Sequence, residues 1–287
     1  MLDSTLESIE RRCRAAIMRA CDLAGADRGR RVATGWPGVD AALGGGLPAR
    51  GLHEWFGPAP PEAVGPQAGG AAGSRGGHGE ADWAAPLCAL VHMAWQFVES
   101  SPAGLWTVWV GGACAPYPPL LARADGRDRR LLDRSLFVST RDAAARLWAV
   151  DVSLRCPAVG LVVADGRRFD RAASRRVHLV ATNHGKWALI ARPAEERGEI
   201  SAAHSRWLIR RAPSGRGGAA ESVQPRWTVQ LLRCKGVQPE TAGRIWTLEW
   251  DHVHGALCIS SPLADSTGPA SARPDCAAAV PARPRSA

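Results

Sequence analysis

Lysine is nearly missing from this chain. Lys186 and Lys235 are the lysines in a combined Lys and Arg count of 36, so the net charge of +9 is carried almost wholly by arginine. A GC-rich genome that writes Arg for Lys accounts for the ratio. The excess itself favours a polyanionic or acidic partner. Tyrosine occurs once and phenylalanine 4 times, against 12 tryptophans, so indole supplies most of the aromatic mass.

Other absences exclude whole classes. The 8 cysteines are scattered with no C-x-x-C, which argues against a zinc ribbon or a disulfide scaffold and suits a reducing compartment. No G-x-S-x-G occurs, and Cys114 and Cys156 have no histidine beside them to activate a thiol. His252 and His254 would share one strand face near Cys258, but a zinc site needs four well-spaced ligands, so no metal is expected. No apolar run approaches about 20 residues, and Glu7, Glu10, Arg11, Arg12 and Arg14 interrupt the N-terminus where a signal core would lie. A cytoplasmic protein without membrane spans is the expectation.

What is present is organised around Thr34 to Gly57. A tight turn at Gly35 to Gly38 leads into a short helical piece, Val39 to Leu43. The glycines Gly44, Gly45 and Gly46 break it, and a short strand, Leu52 to Phe56, ends in Gly57. Ahead of this, Leu6, Ile9, Cys13, Ala16, Ile17, Ala20 and Leu23 form one stripe of an expected helix over 3–23, so 1–33 reads as a helix and linker. After Gly57, residues 58–80 are rich in Gly, Ala and Pro and read as a flexible loop.

Strand and helix then alternate. Helices are expected over 82–99, 119–133, 141–155 and 170–183. Strands are expected over 105–110, 135–139, 159–164 and 186–191. Short, continuously apolar strands between helices argue a mainly parallel central sheet with helices on both faces. Beyond Pro193 the pattern becomes successive short strands over 207–211, 227–233, 245–250 and 256–260, an antiparallel extension of that sheet. One domain over 34–260 is followed by a tail over 261–287, rich in Ala, Pro, Ser and Arg, that is expected to be disordered.

A phosphate loop after the first strand reads G-x-x-x-x-G-K-[ST]: backbone N–H groups wrap phosphate, lysine neutralises it and the hydroxyl holds Mg²⁺. Gly57 sits at its start. Glu62 then stands at the second glycine, Ala63 at the lysine and Val64 at the hydroxyl, while Pro58, Pro60 and Pro61 each remove an N–H. Neither ATP hydrolysis nor tight ATP binding is expected, and no cofactor. Asp165 ends an apolar strand, where a Mg²⁺-organising carboxylate would sit. Without the other partners it reads as a turn residue beside Gly166. Glu54, inside the first strand, is not placed for base chemistry. Arg168, Arg171, Arg175 and Arg176 form the densest basic patch. Such a patch is ordinarily a solvated helix face; its functional reading is a grip on phosphates or on an acidic partner. Glu195, Glu196 and Glu199 disfavour DNA contact in the segment 193–204.

These residues resemble a RecA-like core, and more closely the ImuA family of SOS translesion-synthesis accessory proteins, whose relatives are sometimes labelled SulA-like. The resemblance is carried by Thr34 to Pro48, by Gly51 to Gly57, and by Trp106 to Val110 with Pro116 to Pro119. Ala143 to Leu154, Val159 to Ala164, and Trp227 to Lys235 with Ile245 to Asp251 continue it, over about residues 30–255. It implies an α/β fold with a RecA-like core and a damage-inducible accessory subunit. It also implies partners: RecA, an ImuB-type polymerase homologue and an error-prone C-family polymerase, with DNA contacted directly or through them. The altered phosphate loop sets the chain apart from RecA and its ATP-driven strand exchange. Two other readings stay open on the sequence: a divergent RecA-type ATPase, and a DNA-binding repair protein driven by the arginine clusters.

Overall fold

Strand β3 (Gly51–Gly57) is buried at every position, which only a central strand covered on both faces can be. A computed structural model shows it at the heart of a nine-stranded sheet; it describes residues 30–57, 83–123, 126–216, 223–251 and 256–259. The other strands are β4 (Trp106–Val110), β5 (Ser135–Val138), β6 (Val159–Asp165), β7 (Trp187–Pro193), β8 (Ser205–Arg216), β9 (Val223–Cys234), β10 (Ile245–Asp251) and β11 (Ala256–Ile259). Their spatial order is β11-β10-β9-β8-β3-β7-β6-β4-β5. Strands from β8 to β5 run parallel, and β9, β10 and β11 continue the sheet antiparallel. The chain is therefore mixed α/β, with a mostly parallel sheet and an antiparallel C-terminal extension. A two-stranded ribbon, β1 (Arg31–Val32) with β2 (Leu47–Pro48), precedes it, so the folded region reaches back past residue 34.

Parallel neighbours need crossovers, and helices supply three of them. Helix α1 (Pro37–Leu43) and helix α2 (Leu87–Ser100) lie on one face, over a core containing Trp36, Trp55, Leu90, Trp187 and Trp207. The short α3 (Arg130–Asp133) adds Leu131 to that core. Helices α4 (Ala143–Arg155) and α5 (Arg171–Asn183) lie on the other face, over Leu52, Val108, Val110, Val162, Ala188 and Ile190. Residues an odd number of positions apart along each central strand divide between these two cores: Leu52 and Trp55, Val162 and Val163, Ala188 and Leu189. The scarcity of Phe and Tyr is met by tryptophan. Trp55 stacks on Trp207 at 5.4 Å, and Trp36 stands edge-on to Trp55 at 6.5 Å.

The fold departs from the sequence expectations at several places. Residues 119–133 do not form one helix. Pro118–Leu121 is a 3-10 turn, Arg123 bridges back to Asp128, and only Arg130–Asp133 is helical. Adjacent prolines and a left-handed Gly126 (φ 84°) keep the stretch from forming one continuous helix. Helix α2 begins at Leu87 rather than 82, with Pro86 outside it as the N-cap residue. Lys186 precedes β7 instead of belonging to it, and its Nζ donates to the Pro157 carbonyl at 3.1 Å. Strands β8 and β9 are each 12 residues long and irregular in register, where short strands were expected. The expected N-terminal helix, the loop 58–80, His252, His254 and the tail 261–287 lie outside the described residues.

Candidate functional site at the carboxyl edge of the sheet

Ligands of open parallel sheets bind at the carboxyl ends of strands, where neighbouring strands send their connections in opposite directions. The strand order creates two such crevices. β3 connects towards β4 while its neighbour β7 connects back to β8, and β4 connects to β5 while its neighbour β6 connects to β7.

At the first crevice the chain leaves β3 at Gly57 and is described again from Trp83. A methyl group built on Gly57 would lie 2.2 Å from the Ala84 carbonyl oxygen and 3.1 Å from Pro86 Cδ. The place where a phosphate loop would open is thus taken by an acceptor oxygen. Donors are scarce around it. Pro86 has no N–H and no side chain caps α2; the Leu87 N–H donates to the Ala85 carbonyl at 2.8 Å and that of Leu90 to Pro86 at 3.1 Å. Glu62, Ala63 and Val64 lie outside the described residues.

Below this, Glu54 is 1% exposed, and a charge buried so deeply requires partners. It has three. Arg192 Nη1 from β7 donates to Oε1 at 3.1 Å, Ser201 Oγ donates to Oε1 at 2.8 Å, and Arg206 Nε from β8 donates to Oε2 at 2.8 Å. Arg192 also donates from Nε and Nη2 to Glu196 at 2.9 and 2.7 Å, and from Nη2 to the Phe169 carbonyl at 2.9 Å. The Phe56 ring lies 4.8 Å from the Arg206 guanidinium carbon and 6.0 Å from that of Arg192. Two carboxylates and two guanidinium groups cancel. Glu54 does lie inside the strand, as expected. Its pairing was missed, because its partners lie 138 and 152 positions away in sequence. The signal was the charge itself, sitting between apolar residues of a central strand.

At the second crevice Asp165 closes β6. Its Oδ1 accepts the Arg167 N–H at 2.9 Å, the turn expected of it, and its Oδ2 lies 3.7 Å from Arg146 Nε and 4.0 Å from Arg167 Nη2. Asp165 and Arg146 are both 3% exposed. A guanidinium therefore faces the carboxylate that ends this strand. Gly111, at φ 89°, allows this pair to close: a methyl there would meet Asp165 Cβ at 2.9 Å and Arg146 Cδ at 3.0 Å. Cys114 packs beside the pair. Burial first, and the Asp165 charge second, hold its thiol well above the ordinary range.

The four arginines of the basic patch differ in their partners. Arg168 lies ahead of α5 in a left-handed conformation (φ 64°), and its backbone N–H donates to Glu196 at 2.9 Å. Arg171 and Arg175 are exposed one turn apart on α5. Arg176 donates to Asp151 of α4 at 2.9 Å.

One buried Ser–His pair has the look of catalytic machinery and is structural. His53 Nε2 lies 3.2 Å from the Pro48 carbonyl and must donate to it, so Nδ1 accepts from Ser205 Oγ at 2.7 Å. The same hydroxyl accepts from the Trp207 indole at 2.8 Å. The network is closed and sealed in the core, with His53 and Ser205 both fully buried. Among the described residues no group of three or more His, Cys, Asp or Glu could hold a metal, and no helix is long and apolar enough to cross a membrane. No family model matches the chain, and no curated protein matches it.

Proposed function

We propose that this chain is a non-catalytic RecA-like accessory protein of SOS-induced, error-prone translesion DNA synthesis. It keeps the scaffold of a nucleotide-binding fold and uses it to recognise protein partners. The observation that carries the non-catalytic part is the Ala84 carbonyl against Gly57, where a phosphate loop would open. The arginine partners of Glu54 and Asp165 support it, because each neutralises a carboxylate at a crevice that would otherwise be available to a metal or a substrate.

The SOS assignment is supported by the ordered series of segments that resemble the ImuA family, beginning with Thr34 to Gly57. The α/β sheet with its antiparallel extension is compatible with the RecA-like core that this resemblance implies. Such a protein works in the cytoplasm, with RecA, an ImuB-type polymerase homologue and a C-family polymerase as its partners. It needs no nucleotide of its own. Affinity capture of the tagged full chain from damaged and undamaged cells tests the assignment. Recovery of RecA or a translesion polymerase component after damage is expected, and recovery of none of them would overturn it.

A further inference from the structure

Helices α4 and α5 lie side by side on one face of the sheet and are joined on their outer side. Asp151 of α4 accepts from Arg155 Nε at 2.8 Å and from Arg176 Nε of α5 at 2.9 Å. Around this junction large apolar side chains face solvent. Trp148 is 66% exposed, Val152 one turn further along α4 is 46% exposed, and Leu179 of α5, one turn from Arg175, is 47% exposed. Leu136 of β5, also 47% exposed, pairs with Val108, whose side chain belongs to the core under α4 and α5, so it points to this same side at the sheet edge. Four of the eight large apolar side chains that are exposed among the described residues therefore share one face. Grouped apolar exposure of this kind marks an interaction surface, whereas single exposed residues do not.

Arginine supplies the exposed positive charge of the face. Arg155, Arg171, Arg175 and Arg176 are all exposed. The acids among them are already engaged: Asp151 holds two arginines, and Asp142 and Asp170 cap the two helices by accepting from Ala145 and Ala173. An indole among aliphatic groups, rimmed by guanidinium groups, has the make-up of a protein–protein hot spot. Nucleic acid fits it less well. Val152 and Leu179 offer neither stacking nor a phosphate contact, and Arg155 and Arg176 are already turned to a carboxylate, the group an acidic peptide would bring.

We propose that the outer face of α4 and α5 is a docking site for an acidic amphipathic segment of a partner protein, with Trp148 as its anchor. The partner presents large apolar side chains at helical spacing to Trp148, Val152 and Leu179, and carboxylates to Arg171 and Arg175. This deepens the adaptor reading by giving it a surface and a partner chemistry, and it does not depend on the phosphate-loop argument.

The test is fluorescence anisotropy of the full chain with a labelled synthetic helical peptide of glutamate and leucine, Leu at i, i+3, i+4 and i+7. The same peptide with Lys for Glu and a labelled oligothymidylate serve as comparisons. Saturable binding of the acidic peptide is expected, weakened ~10-fold by Trp148→Ala and by Arg175→Glu, and weakened by salt. Trp148 and Arg175 are exposed, so both variants keep the fold, which circular dichroism checks. Three results overturn the proposal: no saturable binding of the acidic peptide, equal binding of the Lys peptide, or binding unchanged by Trp148→Ala. Saturable oligothymidylate binding lost in Arg175→Glu, without peptide binding, would give the face to nucleic acid instead. Peptide binding that survives a failed capture of RecA and polymerase would remove the SOS assignment and leave this surface standing.

Discussion

The carbonyl oxygen of Ala84 lies against the α-carbon of Gly57, so closely that a methyl group there would come within 2.2 Å of it. A chain that cradled phosphate would direct N–H groups at that point. This one directs an acceptor. Gly57→Ala must push the two backbones apart, and a cost of about 1–3 kcal/mol is expected in urea denaturation. A variant as stable as the parent would show that the contact is loose.

Loss of the phosphate loop should not be reversible by its side chains alone. The combined change Glu62→Gly, Ala63→Lys and Val64→Thr restores the second glycine, the lysine and the hydroxyl, yet leaves the Ala84 carbonyl and Pro86 where they are. No saturable binding of a fluorescent ATP analogue is expected. Binding recovered by these substitutions would place the defect in residues 62–64 rather than in the backbone.

Glu54 holds two buried guanidinium groups. Glu54→Ala leaves them without a counter-charge, and a loss of about 3–5 kcal/mol is expected, with a smaller loss for Glu54→Gln, which keeps an acceptor. Equilibrium denaturation of both variants measures this. Equal, small losses would mean that the pair is solvated.

Acid should weaken the fold before the carboxylates titrate. His92 donates from Nε2 to the Thr34 carbonyl at 2.7 Å, stacks on Trp36 at 4.8 Å, and finds no hydrogen-bond partner for Nδ1 among the described residues. Burial holds its pKa down to about 4. Burial, with His204 and His178 nearby, holds that of His53 well below the ordinary value. In the unfolded chain a histidine takes up its proton near pH 6.5. Between there and about pH 4 the unfolded state therefore binds more protons, and stability falls with pH. For His92 alone the loss is about 3 kcal/mol. Unfolding free energies from pH 7 to pH 4.5 should decline; a flat profile would contradict the buried, neutral rings.

The elements written in continuous apolar residues were legible. Trp106–Val110 and Val159–Asp165 appear as strands within one residue of expectation, because burial on both faces leaves no other composition. Helices α4 and α5 begin within two residues of the expected 141 and 170, and the structure adds that Asp142 and Asp170 cap them. The stretch 119–133 misled because Pro118 and Pro119 at its start and the left-handed Gly126 within it decide the backbone. The chemistry of the crevices was half legible. Missing phosphate-loop side chains can be read in order along the chain. The pairs Glu54 with Arg192 and Arg206, and Asp165 with Arg146, depend on which strands become neighbours, which no local pattern records. Arg176 likewise appeared in the densest basic patch, yet it faces Asp151 across the helix pair.

On the proposed reading, this fold has been turned from nucleotide chemistry to protein recognition. Calorimetric titration of the full chain with Mg·ATP, with phosphate release followed in the same sample, decides whether it has. No saturable heat and no release above that of buffer are expected. Saturable binding, with turnover that disappears in Asp165→Ala, would contradict that reading.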